Sequence, residues 1–483
     1  MAARALAALL ALALSMPAAT WKVRLYWLSP PAKAAITRAG KPPLHLTPAS
    51  PPARFDGPLT LAVPGQDPVT VGFPLDVAVI GGRLRFTVTM PREDYAAAVL
   101  AGESSVFRSP ESLKAMAVAA RTYALHFAPR HAVDGFDFCD TTHCQDLRLA
   151  ARTARLRQAV DDTEGEVLWY RGKPAAAFYS RHCGGHTEAG PEPYLPAHPD
   201  SWCGSSPWHT VLSPADLSRA GLGPPLEVIE RSPTGRALRL RAGPRMLTAD
   251  AFLGLIGETL GWNRVRSSWF DAAPDGAIDG RGSGHGIGLC QAGAAAQGDA
   301  GRSYRDILAF YFPGTKLGVN AQGFPWTVLT GERIELRTTD PGAGASLVAA
   351  CDRALRRAEQ AAGFPGPARV RIQVYPTVAQ FRDATGEPGS VAASTTGTTI
   401  RLQPAAILRA RGILDSTLLH EMIHATLETR TRPDIPDWFR EDLAAALSGA
   451  ASPRMASLFR QYGRPAVLGW LATGLPPQVR RSH

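Results

Sequence analysis

Apolar and polar residues along the chain repeat with a period of two in some stretches and of about 3.6 in others, which separates candidate strands from candidate helices. Leu84-Arg85-Phe86-Thr87-Val88-Thr89-Met90 alternates strictly and predicts a strand with one buried face. Residues 95–101 and 111–127 carry Ala and Leu at helical spacing, and Pro110 suits the first turn of the second helix. Residues 167–180, with Arg171-Gly172-Lys173 at the centre, predict a hairpin. A glycine-rich loop from Gly280 to Gly288 leads into an Ala-rich helix. A second series begins near Arg333, with strands at 334–337, 370–375 and 398–402, an amphipathic helix at 347–362, and helices at 414–427 and 438–447. Residues 20–79 are Pro-rich and predict a strand-rich lead-in. The fold class is α+β: a mixed domain over residues 80–320, a smaller α+β domain over 333–450, and a tail over 451–483.

Composition narrows the setting. A chain of 483 residues predicts two or three domains. Arg4, the apolar run at 5–16 and the small residues Ala18 and Ala19 read as a secretory signal over residues 1–19. No run reaches the length of a transmembrane span, so the expectation is an exported protein, periplasmic or extracellular and wall-associated. The net charge of +10 suits an anionic polymer, whereas scattered arginines without interleaved aromatics exclude a nucleic-acid surface. Six cysteines are present, and an oxidising compartment permits disulfides whose pairing spacing cannot decide. Cys183 and Cys203 flank a Pro-rich loop and could pair.

Three places carry chemistry. In Leu419-His420-Glu421-Met422-Ile423-His424, the two histidines stand four apart, so a helix projects both from one face toward one Zn2+. Glu421 lies between them as the candidate base for the attacking water, and Glu441, from the next helix, could be the third ligand. His131, Cys139, His143 and Cys144 form a second candidate Zn2+ set, closed to water, with His126 an alternative to His131 and a Cys139–Cys144 disulfide the rival reading. Glu103 is a lone carboxylate in an apolar stretch between two helices, where burial would raise its pKa. The glycine-rich loop offers a G-x-G-x-x-G pattern, but no apolar strand is expected before it, which excludes dinucleotide binding. Its glycines would instead let backbone amides approach a sugar chain, with His285 as a polar contact.

The blocks Tyr95-x-x-x-Val99-x-x-x-Glu103, Leu113-Lys114-Ala-x-Ala-Val-Ala-Ala-Arg121-Thr122-Tyr123-Ala, His143-Cys144-Gln145, Cys183-Gly184-Gly185-His186-Thr187, Gly284-His285-Gly286-Ile-Gly288-Leu-Cys290-Gln291 and Tyr311-Phe-Pro313-Gly314-Thr315 occur in this order. Together they resemble the SpoIID/LytB domain family over about residues 80–317. The resemblance implies a lytic transglycosylase that cleaves peptidoglycan glycan strands, or an amidase enhancer that works with a wall amidase. It makes Glu103 the catalytic acid and base, and Arg121, Tyr123, Ser180, Gly184, Gly185, His285 and Gln291 the expected substrate contacts. It also implies zinc at the His131/Cys139/His143/Cys144 cluster. Arg181 and His182 depart from the small hydroxyl residues usual before the Gly-Gly block, which puts substrate preference or activity in doubt.

Residues 370–447 resemble the peptidase-MA-like, or gluzincin, group. The resemblance rests on Ile372-Gln-Val-Tyr375-Pro-Thr-Val-Ala-Gln-Phe381, on His420-Glu-Met-Ile-His424 and on Ile435-Pro-Asp-Trp438-Phe-Arg-Glu441. It implies a zincin-like domain that cuts peptide bonds, with His420, His424 and Glu441 on zinc and Glu421 as base. The short stretch after Glu441 leaves little for a further subdomain, and Tyr462 is its nearest tyrosine. The combined expectation is an exported wall enzyme with both activities. The alternative is a non-catalytic wall-binding, amidase-enhancing module on a degenerate peptidase scaffold.

Overall fold

The computed structural model describes residues 20–149, 153–342 and 344–481. The leader read at residues 1–19 lies outside them. The chain divides near residue 324 into two compact units.

In the first unit, the strand Arg83–Pro91 buries Leu84, Phe86, Val88 and Met90 on one face, as its alternation requires. It is central to a five-stranded sheet in the order Ala53–Phe55, Leu75–Ile80, Arg83–Pro91, Thr20–Leu25, Phe138–Cys139. Residues 20–79 are strand-rich as expected but belong to the same unit: part of them forms a second, four-stranded sheet in the order Leu44–Leu46, Ala34–Thr37, Leu59–Ala62, Val69–Val71, and Thr20–Leu25 runs antiparallel to Arg83–Pro91 and parallel to Phe138–Cys139.

The helix Arg92–Glu103 leads directly out of the long strand. The next helix, Pro110–Phe127, opens with Pro110 at its first turn and with the Ser109 hydroxyl accepting the Glu111 amide. It is buried on nearly every side, and its run of alanines lets neighbours approach closely. The predicted hairpin is shorter than expected. Val167–Tyr170 pairs with Lys173–Pro174 across Arg171-Gly172, both at positive φ. Tyr179–Ser180 then leaves to pair in parallel with Leu289–Cys290.

Between these two paired strands the chain builds a satellite with its own core, including Trp208, Leu240, Phe252, Phe270 and Ile278. Its strand Ala277–Arg281 runs into the glycine-rich loop, sharing Gly280 and Arg281 with it, and only Ile278 of it is buried, so it is not the apolar strand a dinucleotide site needs. That strand is antiparallel to both neighbours, so the parallel βαβ setting of a dinucleotide site is still missing.

The second unit is a mixed five-stranded sheet in the order Thr327–Thr330, Ile334–Thr338, Val370–Val374, Thr399–Leu402, Ala393–Thr396. The three inner strands are parallel and the two edges antiparallel. Helices Gly344–Ala362 and Leu414–Glu428 pack against each other and supply much of its core. Residues read as a tail form helices Pro453–Tyr462, Arg464–Thr473 and Pro477–Arg481, and Met455, Val467 and Leu471 enter the same core. Among the described residues no helix is long and apolar enough to cross a membrane.

Candidate functional sites

Glu103 ends the helix Arg92–Glu103, whose residues Tyr95–Leu100 are all buried. Its carboxylate accepts three hydrogen bonds: from the Asp146 amide at 3.1 Å and the Tyr179 hydroxyl at 3.4 Å on one oxygen, and from Gln291 Nε2 at 2.9 Å on the other. Burial raises its pKa and outweighs the opposing bonds from Gln291 and the Asp146 amide; the Asp146 carboxylate adds a smaller upward push. Gly102 makes the approach of Asp146 feasible, because a Cβ there would fall 2.2 Å from the Asp146 carbonyl oxygen. Tyr179 and Gln291 arrive together, since Tyr179 lies on the strand paired with Leu289–Cys290, just ahead of Gln291. Tyr179 is held protonated by burial and by Glu103 itself, so it donates. Behind it, Tyr95 Oη donates to Gln145 Oε1 and Gln145 Nε2 donates to Tyr179 Oη, both at 2.9 Å. None of Asp146, Tyr179 or Gln145 was marked in sequence as a partner of Glu103.

The structure redistributes the expected substrate contacts. Arg121 is interior: its guanidinium pairs with Glu93 at 2.6 Å and donates to the Glu166 carbonyl at 3.0 Å, so it braces two helices and a strand entry rather than meeting a ligand. Tyr123 is buried against Phe127, Phe178 and Tyr179. Ser180 is buried on the paired strand. Gly184 and Gly185 take positive φ and line a depression of about 520 Å³ with Trp269 and Arg281. His285 is exposed, and its Nδ1 accepts the Ile287 amide at 3.0 Å. Arg181 reaches toward Ser105, whereas His182 turns inward, its Nδ1 at 3.1 Å from Cys203 Sγ.

His131, Cys139, His143 and Cys144 converge, one ligand atom from each lying within 4.8 Å of the others. Cys144 Sγ is 3.3 Å from His131 Nε2 and 3.7 Å from His143 Nδ1, and Cys139 Sγ is 3.7 Å from His143 Nδ1. A tetrahedral Zn2+ with Zn–S about 2.3 Å and Zn–N about 2.0 Å separates its ligand atoms by roughly 3.3–3.8 Å, so the four residues fit it. Both cysteines are free thiols, which disfavours the disulfide, and His126 lies elsewhere, at the Pro174 carbonyl. Hydrogen bonds from the Cys144 thiol and then Thr141 push the Cys139 thiol toward its thiolate. The Cys183–Cys203 pairing that the sequence allows is also not formed, because both are free.

In the second unit, His420 and His424 project from one face of the helix Leu414–Glu428 with their Nε2 atoms 3.1 Å apart. Glu441, from the helix Asp437–Ser448, lies 3.4 Å from His424 Nε2 and 3.8 Å from His420 Nε2. With Zn–N and Zn–O about 2.0 Å, tetrahedral ligands lie roughly 3.3 Å apart, so this triad also fits a zinc ion. Glu441 raises the His420 pKa and is itself held below the usual carboxylate range by the two imidazoles. Glu421 is buried and accepts the Thr395 hydroxyl at 2.6 Å. Thr395 belongs to the edge strand Ala393–Thr396, which sequence reading missed because its Ala-Ser-Thr-Thr run has no apolar alternation. This strand, His420, Glu421, His424 and Glu441 line a groove of about 880 Å³. Tyr462 instead packs edge-on against Trp470, 5.1 Å between centroids.

Residues 81–170 match the family model described as SpoIID, stage II sporulation protein. An uncharacterised protein of Brachyspira hyodysenteriae is 32% identical over 246 residues, 47% of this chain and 66% of its own length. Stage II sporulation protein D of Bacillus subtilis is 27% identical over 273 residues, 50% of this chain and 79% of its own length. The amidase enhancer of Bacillus subtilis is 27% identical over 284 residues, covering 45% of this chain but only 39% of the enhancer. The region similar to the SpoIID family, residues 81–170, contains Glu103 and the His131/Cys139/His143/Cys144 cluster.

Proposed function

We propose that the protein is an exported cell-wall enzyme whose first unit cleaves peptidoglycan glycan strands as a lytic transglycosylase. The observation that carries this is the partly buried Glu103, its pKa raised by desolvation while three donors fix its orientation. Protonated Glu103 donates to the glycosidic oxygen as the C1–O bond of muramic acid breaks. The resulting carboxylate takes the proton of that sugar's 6-hydroxyl as O6 bonds to C1, so no water is consumed and one carboxyl group suffices. Asp146 is a second acid close enough to influence Glu103, but it pairs with Arg148 at 3.1 Å and meets Glu103 through its backbone amide. Were Asp146 to activate water, the products would carry reducing ends in place of anhydromuramic ends. Incubating purified protein with intact and with peptide-stripped glycan, then reading the ends by mass spectrometry, decides the reaction. The likeness to an amidase enhancer favours a second reading: the first unit binds glycan and stimulates a wall amidase. Under that reading glycan stays uncut and an added amidase works faster.

For the second unit the proposed activity is peptide-bond hydrolysis by a zincin-like site. His420, His424 and Glu441 would hold Zn2+, which when bound acidifies water and polarises a carbonyl. Glu421, oriented by Thr395, would accept the proton of the attacking water and pass it to the leaving amine. Among the described residues no strand pairs with the outer side of the edge strand Ala393–Thr396, where an extended peptide could add as a further strand. A peptide library that includes wall stem peptides tests this. Zinc bound with no peptide cut would leave the unit a metal-stabilised scaffold.

A further inference from the structure

Four buried cysteines lie outside both metal clusters: Cys351 belongs to the core of the second unit, and the other three converge in the first. Cys183, Cys203 and Cys290 come from distant stretches of chain, yet their sulfurs and the Asp200 carboxylate lie within 4.8 Å of one another, all four residues buried. Cys290 Sγ is 3.3 Å from Cys203 Sγ, and Cys183 Sγ is 3.3 Å from Asp200 Oδ2. All three are free thiols, and 3.3 Å is far from a bonded S–S distance of about 2.05 Å. A disulfide would also leave one of the three unpaired.

The surroundings suit thiolates. Cys290 caps the helix Gln291–Asp299, and its sulfur accepts the amides of Gly293 at 3.4 Å and Cys183 at 3.2 Å. The Asp200 carboxylate is aimed by Tyr311 Oη at 2.9 Å and by the Trp202 amide at 3.1 Å, as the outer partners of a ligating carboxylate commonly aim it. Gly293 leaves room for this, because a Cβ there would meet Tyr311 Oη at 2.2 Å and Asp200 at 2.5 Å. A buried cation stands beside the group: the Arg236 guanidinium donates to the Cys183 carbonyl at 2.6 Å and is 2% exposed. It would offset part of the charge of three thiolates and a carboxylate around a divalent ion.

We propose that Cys183, Asp200, Cys203 and Cys290 form a closed, thiolate-rich site for one zinc-type divalent cation, additional to the two clusters described above. Four protein ligands with no open position make it structural, and three sulfurs select a thiophilic ion over magnesium or calcium. The site clamps three segments: the strand leading to Gly184-Gly185, the loop at 200–203, and the strand end that delivers Gln291 to Glu103. The inference does not depend on the reaction assigned to Glu103.

The test uses the full chain carrying His420→Ala and His424→Ala, purified with zinc supplied, so that the two cysteine-rich clusters are the remaining candidates. Two zinc ions per chain by native mass spectrometry are expected, falling by one when Cys203→Ser is added. Should that variant fail to fold, Cys144→Ser in the same background decides, with one ion remaining supporting the site and none overturning it. Alkylation in denaturant without reductant gives an independent reading. Labelling of Cys183, Cys203 and Cys290 is expected, whereas a disulfide joining any two of them would overturn the proposal.

Discussion

Replacing Glu103 with glutamine separates chemistry from architecture. The amide keeps the shape of the side chain. Its oxygen can still accept the Asp146 amide and the Tyr179 hydroxyl, while its nitrogen faces Gln291, which need only turn its own amide over to present oxygen. One net hydrogen bond, worth about 1 kcal/mol, bounds the loss of stability. The charge term runs the other way. Burial raises the pKa of Glu103 above its ordinary value of 4.5, so its contribution to stability is full below that value and is lost as pH rises through the folded pKa. Glutamine has no such loss, and the stability difference should drift in favour of Glu103→Gln as pH climbs from acid to neutral. Catalysis should behave differently. Without a proton to donate, glycan cleavage should fall by roughly 10²–10⁴-fold, or about 3–5 kcal/mol of barrier. Release of anhydromuramic fragments, followed by mass spectrometry, measures the rate, and urea unfolding at several pH values measures the fold. A variant that unfolds like the wild type and cleaves within roughly tenfold of it would remove Glu103 from the mechanism.

Glu421→Gln should retain zinc and lose peptide hydrolysis, whereas Glu441→Ala should weaken zinc binding itself; metal titration beside a peptide assay tells them apart. Arg121→Ala strands Glu93 in a partly buried setting and should cost about 3 kcal/mol in urea unfolding; a change under about 0.5 kcal/mol would mean that Arg121 is not the brace described. Cys144→Ser should lower the melting temperature of the first unit and make it insensitive to added zinc, and wild-type melting that ignores thorough chelation would count against the His131/Cys139/His143/Cys144 site.

Local pattern revealed much of this molecule. The alternation at 84–90 marks the long strand, helical spacing marks the two helices around Glu103, and the spacing of His420 and His424 marks one helical face. What stayed hidden depends on chain separation. Tyr179 and Gln291 reach Glu103 from 76 and 188 residues away, and only the pairing of Tyr179–Ser180 with Leu289–Cys290 brings them together. The cysteines at 183, 203 and 290 carry no spacing signal for the same reason. Arg121 misled because a motif position shows that a charge is present, not whether it faces a ligand or a buried glutamate.

The placement of Thr20–Leu25 bears on what can be cut from this chain. The matched family region begins at residue 81, yet the strand of Cys139 pairs with Thr20–Leu25, and the long strand uses the same segment along one side. A fragment starting at residue 81 would lose Leu75–Ile80 as well, expose both sides of the long strand and leave Cys139 without its backbone neighbour. The region matched by the family model is thus smaller than the sheet it belongs to. Because residues 20–25 must wait for residue 139 before both neighbours are in place, the sheet cannot close until well over a hundred residues have been made.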